Sequence, residues 1–257
     1  MRIELAAQPG DPGRPNEDFA SVALPASGEG GVLVLLDGVT PPPDGGSGCS
    51  HGVPWFTARL GGALLELVGG RRELTLAQCL SAAVLRTADA HRVTCDLAHR
   101  LTPQATVVVA RWGAERVEHL VLSDSVLLIE GVDGTVSAVL DDRIGRLAAL
   151  GRVTDDQRNA EGGFFTAAAD PAVSARAITG STARADVRAL AALSDGASRW
   201  VEVFGAGGWD ECFALLAKEG PRALIDRVRG AERADPDGLA FRRGKPHDDA
   251  AAVYAEL

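Results

Sequence analysis

The sequence predicts an α+β fold built in layers, and three observations carry that reading. Two amphipathic helices follow one another over residues 54–68 and 75–97. A series of short β-rich segments then fills residues 105–140. A last group of helices ends in a closing strand over 250–256. This is not the regular strand–helix alternation of a doubly wound parallel sheet. No linker interrupts it, so one domain is expected across residues 1–257.

The first strong strand is 31–36 (GVLVLL), a continuous apolar run of buried-strand length that stops at Asp37-Gly38. Residues 41–50 (PPPDGGSGCS) are too rich in Pro and Gly for anything but a loop. The helix over 54–68 presents Trp55, Phe56, Leu60, Ala63, Leu64, Leu67 and Val68 at helical spacing and ends at Gly69-Gly70. The helix over 75–97 repeats the pattern with Leu76, Cys79, Leu80, Ala83, Val84, Thr87 and Ala88. A short link makes the two antiparallel neighbours. Runs at 105–111, 116–122, 126–130 and 135–140 read as an antiparallel meander, with Asp133-Gly134 as a hairpin turn. Short helices are expected at 142–150 and 172–178, and a strand at 187–193 ends in Ser194-Asp195-Gly196. Helices at 197–203, 209–218 and 221–233 precede a polar loop over 235–246.

Composition removes several classes of function. The chain holds 26 basic and 35 acidic residues, a net charge of −9. It is a poor partner for nucleic acid or anionic lipid, both of which need a positive field. No apolar run reaches the roughly 20 residues of a membrane span, and the first residues hold no signal-peptide core. A soluble, cytoplasmic protein is expected, and its oligomeric state is not readable. Cys49, Cys79, Cys95 and Cys212 are scattered without a C-x-x-C pair, so neither a zinc site nor a disulfide framework is expected. His91, His99 and His119 have no ligand-spaced partner, and the four tryptophans read as packing residues.

Carboxylates recur where strands end: Glu17-Asp18 before Phe19, Asp37 after 31–36, Asp124 between two strands, Asp195 after 187–193, and Asp248-Asp249 before 250–256. A lone Asp there is an ordinary turn residue. A converging set would repel and raise its own pKa values unless a cation neutralised it. Hard cations such as Mg²⁺ or Mn²⁺ prefer oxygen ligands, and a pair of them activates water toward a phosphoester. The motif order Asn16-Glu17-Asp18, Leu36-Asp37-Gly38, Ser123-Asp124-Ser125, Ser194-Asp195-Gly196 and Asp248-Asp249-Ala250 resembles the metal-dependent protein phosphatase (PP2C or PPM) family over about residues 10–257.

The resemblance implies an αββα sandwich of two antiparallel sheets flanked by helix pairs. It implies hydrolysis of phosphoserine or phosphothreonine on proteins by water activated at a binuclear Mg²⁺ or Mn²⁺ centre, without a phosphoenzyme. Asp37 would bridge two metals, with Gly38 (through its carbonyl) and Glu17 on one and Asp195 and Asp248 on the other. Asp124 with Asp195 would hold a third ion. Asp18 would orient water, and Arg14 would bind phosphate. The sequence departs from the pattern in four places, one of them the strand start Gln104-Ala105-Thr106, where the family has a Gly-Thr-Thr-like start. Val39-Thr40 replaces the histidine expected after Asp-Gly, with His51 as a candidate replacement. Arg14 stands three residues before Glu17 where the family has four, and Asp249 stands where Asn is usual. These departures leave room for a small phosphorylated metabolite as substrate, or for a phosphatase-like regulatory or binding module. A haloacid-dehalogenase-type reading of residues 32–40 fails because that family needs Asp-x-Asp and residue 39 is Val. The basic run Arg242-Arg243-Gly244-Lys245 reads as a solvated loop or a docking aid for an anionic substrate.

Overall fold

A computed structural model describes residues 1–42, 46–151 and 153–257. Its strands are β1 (Ile3–Gln8), β2 (Phe19–Ala23), β3 (Gly31–Leu36), β4 (Val107–Trp112), β5 (Arg116–Leu122), β6 (Val126–Gly131), β7 (Val136–Val139), β8 (Ile178–Ala183), β9 (Val187–Leu193) and β10 (Ala250–Glu256). They form two five-stranded antiparallel sheets, ordered β1-β10-β9-β6-β7 and β2-β3-β4-β5-β8. The helices are α1 (Val53–Gly70), α2 (Leu76–Asp89), α3 (Arg143–Leu150), α4 (Asp195–Glu202), α5 (Trp209–Glu219) and α6 (Pro221–Ala234).

The alternation of side chains along each strand explains why apolar residues run without interruption. In β3, Leu33 and Leu35 point between the sheets, while Val32, Val34 and Leu36 face α1 and α2. In β9, Leu190 and Ala192 point between the sheets, while Ala189, Ala191 and Leu193 meet α4 to α6. Both faces of both sheets are covered, which is the αββα sandwich. Leu33, Leu35, Leu36 and Leu127 are fully buried, each worth about 1.5–3 kcal/mol of apolar transfer. Pro54 opens α1. Thr75 and Gln78 cap α2 reciprocally, with N···O distances of 3.2 and 2.9 Å.

Several elements differ from the sequence reading, and the expected meander is split, with β4 and β5 in one sheet and β6 and β7 in the other. β1 (IELAAQ) and β2 (FASVA) are only partly buried, so they lack the apolar run that marks β3. The helix expected at 172–178 is a 3₁₀ turn over Pro171–Arg176, followed by the polar edge strand β8 (ITGSTA). α2 stops at Asp89 rather than continuing to 97, because the chain turns at Ala90 and closes tight bonds from Thr94 and Cys95 back to His91.

Strand register sets the functional edge. Phe19 pairs with Leu36, so Asp18 and Asp37 lie side by side just beyond the paired residues. Val107 pairs with Leu122. Val126 and Ala252 both pair with Leu193. The starts of β2, β4, β6 and β10 and the ends of β3, β5 and β9 therefore share one rim of the sandwich. At Ser123–Ser125 the chain crosses from one sheet to the other. Ser123 adopts φ +70° there, an uncommon value for a residue with a Cβ. Its N–H is held by Asp141 Oδ2 at 3.0 Å, and Ser125 Oγ lies 2.6 Å from Thr106 Oγ1.

Candidate metal centre

The rim gathers the acidic residues that the sequence separated. Asp37, Asp124, Asp195 and Asp248 line one cleft of about 360 Å³ together with Gly38, Thr40, Arg199 and Lys245. Glu17 and Arg14 line an adjoining cleft that shares Thr40, Lys245 and Asp248. Asp37 Oδ2 accepts a hydrogen bond from the Asp195 N–H at 3.1 Å, which links the end of β3 to the first turn of α4. Gly38 is buried, and a Cβ there would stand 2.5 Å from the Glu17 carbonyl oxygen. Only glycine lets these two segments approach so closely.

Asp249, which stands where the family pattern has Asn, accepts hydrogen bonds from the Gly10 N–H at 2.8 Å and the Glu17 N–H at 2.6 Å. Its carboxylate thereby fixes the loop that carries Arg14 and Glu17. Glu17 also accepts a short hydrogen bond from Thr40 Oγ1. Arg14 is exposed at the mouth of the cleft.

The electrostatics match a site designed around a cation. Burial pushes Asp37 well above the usual carboxylate range, and the charges of Asp195, Asp18, Asp124 and Asp248 add to it. Burial also raises Asp18 well above the usual carboxylate range, with Ser194 acting against it, and neither of its buried carboxylate oxygens has a partner of good hydrogen-bond geometry. Burial, Asp248 and Asp124 push Asp195 up to about 7. Asp124 and Glu17 are raised by burial as well. A cluster of buried, mutually repelling carboxylates with orphaned oxygens fits divalent hard cations, whose charge reverses each of these shifts.

Five residues of this region were not singled out by sequence reasoning. Arg199, 7% exposed, lies 3.0 Å from Asp248 Oδ2 and 2.7 Å from Glu232 Oε1. Glu232, fully buried, also pairs with Arg229 at 2.7 Å and His247 Nδ1 at 2.9 Å. Burial alone would raise Glu232, yet the bonds from His247 and Arg229 and the charge of Arg199 hold it below its ordinary value. Arg229 further donates to the carbonyls of Gln8 and Asp248. This network braces Asp248 from beneath. Glu202 lines a neighbouring hollow with Asp124 and Asp195, and burial raises its pKa. The only legible hint was that Arg199 follows Asp195 by one helical turn.

The basic run divides. Arg243 turns to Asp235 at 2.8 Å, whereas Lys245 Nζ donates to Asp248 Oδ1 at 2.7 Å and Thr40 Oγ1 at 2.9 Å. Burial opposes the Lys245 ammonium, but Asp248, Asp195 and Asp37 outweigh it and keep its pKa above the ordinary value.

His51 does not replace the histidine expected after Asp37-Gly38. Its Nδ1 lies 3.3 Å from Cys95 Sγ, and its ring stacks on Trp55 at 4.2 Å. The expectation that His91 lacks a ligand-spaced partner is corrected by the fold, which the scattered cysteine spacing did not reveal. Cys49, His51, His91 and Cys95 offer four ligand atoms all within 4.8 Å of one another.

The αββα sandwich is the fold of the PP2C-type serine/threonine phosphatases. Stp1 from Staphylococcus aureus, a serine/threonine phosphatase, superimposes with a TM-score of 0.65 at 14% identity over 100% of this chain and 95% of its own. The catalytic domain of the serine threonine protein phosphatase PstP, in complex with 2 manganese ions, gives 0.57 at 21% identity over 99% and 97%. PppA of Pseudomonas aeruginosa, a key regulatory component of T6SS, gives 0.57 at 16% identity over 100% and 97%. At these identities the likeness is one of fold. No family model matches the sequence, and no curated protein matches it. No helix among the described residues is long and apolar enough to cross a membrane.

Proposed function

We propose that this chain, as one domain over residues 1–257, is a metal-dependent phosphatase that hydrolyses phosphomonoesters. Phosphoserine and phosphothreonine on proteins are its substrate class. The observation that carries this reading is the convergence of Asp37, Asp124, Asp195 and Asp248 on one cleft, with Glu17 and Arg14 beside it. The oxygen-only donor set suits Mg²⁺ or Mn²⁺. Asp37, Glu17 and the Gly38 carbonyl would hold one ion, Asp37, Asp195 and Asp248 a second, and Asp124 with Asp195 a third. Such ions, when bound, activate water and offset charge on a phosphoryl group.

The chain's own residues do the rest. Arg14, exposed at the mouth, docks phosphate oxygens as a forked donor. Asp18, buried beside Asp37, accepts hydrogen bonds from water and orients it. Ile144, Val153 and Phe164 form an apolar wall of the cleft that limits solvent. Thr40 holds Glu17 in place where the family pattern has a histidine stretch.

Lys245 favours a second reading. Its ammonium already sits on Asp248, so one carboxylate has an internal cation. In that reading the chain is a phosphatase-like module that binds phosphorylated partners without turnover. Hydrolysis of p-nitrophenyl phosphate with Mn²⁺, with Mg²⁺ and with chelator separates the two. Metal-dependent turnover that falls by about 10³-fold or more in Asp37→Asn is the result expected of a binuclear site. Full turnover in that variant would refute the assignment. Tight Mn²⁺ binding without turnover on this ester or on phosphopeptides would favour the binding module.

A further inference from the structure

We propose that Cys49, His51, His91 and Cys95 bind one structural Zn²⁺ ion at a site separate from the carboxylate rim. The inference stands on the geometry of these four residues and does not depend on the phosphatase reading.

The ligands arrive as two pairs. Cys49 and His51 lie in the loop between β3 and α1, and His91 and Cys95 lie in the tight turns just after α2. Cys49 Sγ is 3.4 Å from His91 Nδ1 and 3.7 Å from His51 Nδ1, and His51 Nδ1 is 3.3 Å from Cys95 Sγ. Zinc bonds of ordinary length set at tetrahedral angles place a sulfur and a nitrogen ligand about 3.6 Å apart. All four ligand atoms lie within 4.8 Å of one another, and the three sulfur–nitrogen distances above are those of a zinc-sized site. Both cysteines are free, so they do not close a disulfide.

Donor chemistry selects the metal. Two thiolates and two imidazoles in tetrahedral array suit Zn²⁺ and reject Mg²⁺ or Mn²⁺, which prefer oxygen. Two thiolates also neutralise the ion, so the half-buried position carries no net charge. The sulfurs have supporting donors: the His51 N–H lies 3.4 Å from Cys49 Sγ, and Thr94 Oγ1 lies 3.6 Å from Cys95 Sγ. Such contacts orient and stabilise metal-bound thiolates. Trp55 shields one side, stacked on His51 and 5.1 Å from His91. His91 is buried, at 3% exposure.

The backbone brings the pairs together independently of the side chains. The Asp96 N–H donates to the Gly48 carbonyl at 2.8 Å. Gly48 has φ +67°, and a Cβ there would stand 2.7 Å from that of His99. The ion would clip the far end of the loop after Asp37-Gly38 to the end of α2. All four ligands come from one chain, so the clip is intramolecular.

The test is zinc content and thiol protection in the full-length protein. After dialysis against EDTA to strip the carboxylate rim, plasma mass spectrometry should find about one zinc per chain, as for a closed four-ligand site. Asp37→Asn should retain it. Cys95→Ser should lower it to under about one-fifth, whereas Cys212→Ala, altering a cysteine buried away from the cluster, should not. Should Cys95→Ser fail to fold, His91→Cys keeps a zinc-type ligand set and should still hold the ion. In the wild type, Cys49 and Cys95 should resist alkylation until 1,10-phenanthroline removes zinc, and one added equivalent should restore protection. Equal alkylation with and without zinc, a Cys49–Cys95 disulfide in the purified protein, or undiminished zinc in folded Cys95→Ser would each overturn the proposal.

Discussion

Replacing Arg199 with Met tests whether the buried network beneath Asp248 is part of the site. The guanidinium is 7% exposed and bridges Glu232, fully buried, and Asp248. Removing one member of a buried ion group costs about 3–5 kcal/mol, because the partners stay buried with their charge uncompensated. Here the loss is cushioned. Glu232 keeps Arg229 at 2.7 Å and His247 at 2.9 Å, and Asp248 keeps Lys245 at 2.7 Å. The expected cost is therefore at the low end, about 3 kcal/mol. At roughly 2 °C per kcal/mol for a chain of this length, the melting temperature should fall by about 6 °C. Urea unfolding in EDTA measures the energy, and Mn²⁺ titration of the same variant measures the site. Asp248 held on one side only should bind the ion several-fold more weakly. A double variant, Arg199→Met with Glu232→Leu, should lose further stability, because Arg229 and His247 then lose their buried carboxylate. A loss of under about 1 kcal/mol with unchanged Mn²⁺ binding would refute the argument, since that is the scale of an ordinary surface pair.

Three further outcomes follow from the same geometry. Arg14→Ala should raise KM for a phosphoester by about tenfold with a smaller change in kcat, and unchanged kinetics would move the phosphate site elsewhere. Asp124→Ala should depress turnover more than tight Mn²⁺ binding, as measured by calorimetry beside steady-state rates; the opposite pattern would argue against its place in a third-ion site. The chelated protein should lose stability as pH rises. Asp195 sits near 7 in the fold against about 3.9 in the unfolded chain, so its contribution is fully present below about 4 and lost through 7. Urea midpoints in EDTA should therefore be higher at pH 5.5 than at pH 8, Mn²⁺ should restore the loss, and a flat profile would contradict the burial of this carboxylate.

How far the sequence disclosed this molecule depended on whether a feature is local. Asp and Gly at a strand end are turn residues, so Asp37, Asp124, Asp195 and Asp248 could be placed at strand ends from sequence. β3, α1, α5 and α6 carry their own periodicity. β1, β2 and β8 do not: they are half-exposed or polar, and pairing with neighbours defines them as strands. The cysteine–histidine cluster escaped because its halves lie 40 residues apart and neither forms a C-x-x-C pair. The i, i+4 spacing of His91 and Cys95 was the one readable sign. The Arg199–Glu232 pair brings together residues 33 positions apart on two different helices. Its burial depends on the packing of α4 against α6 and on no pattern within either.

The crossing at Ser123–Ser125 has a mechanical meaning for the assembled protein. Glu17 and Asp37 stand at the ends of strands in one sheet, and Asp195 and Asp248 at the ends of strands in the other. The carboxylates thus sit on opposite lips of a seam whose deeper part is zipped by Leu33, Leu35, Val108, Leu190 and Val253. Without a cation, any negative charge these carboxylates carry repels across the seam, while the apolar depth holds the sheets together. A divalent ion would turn that repulsion into a rivet. Loading the site and stiffening the sandwich are then a single event, felt along every strand that ends on the rim.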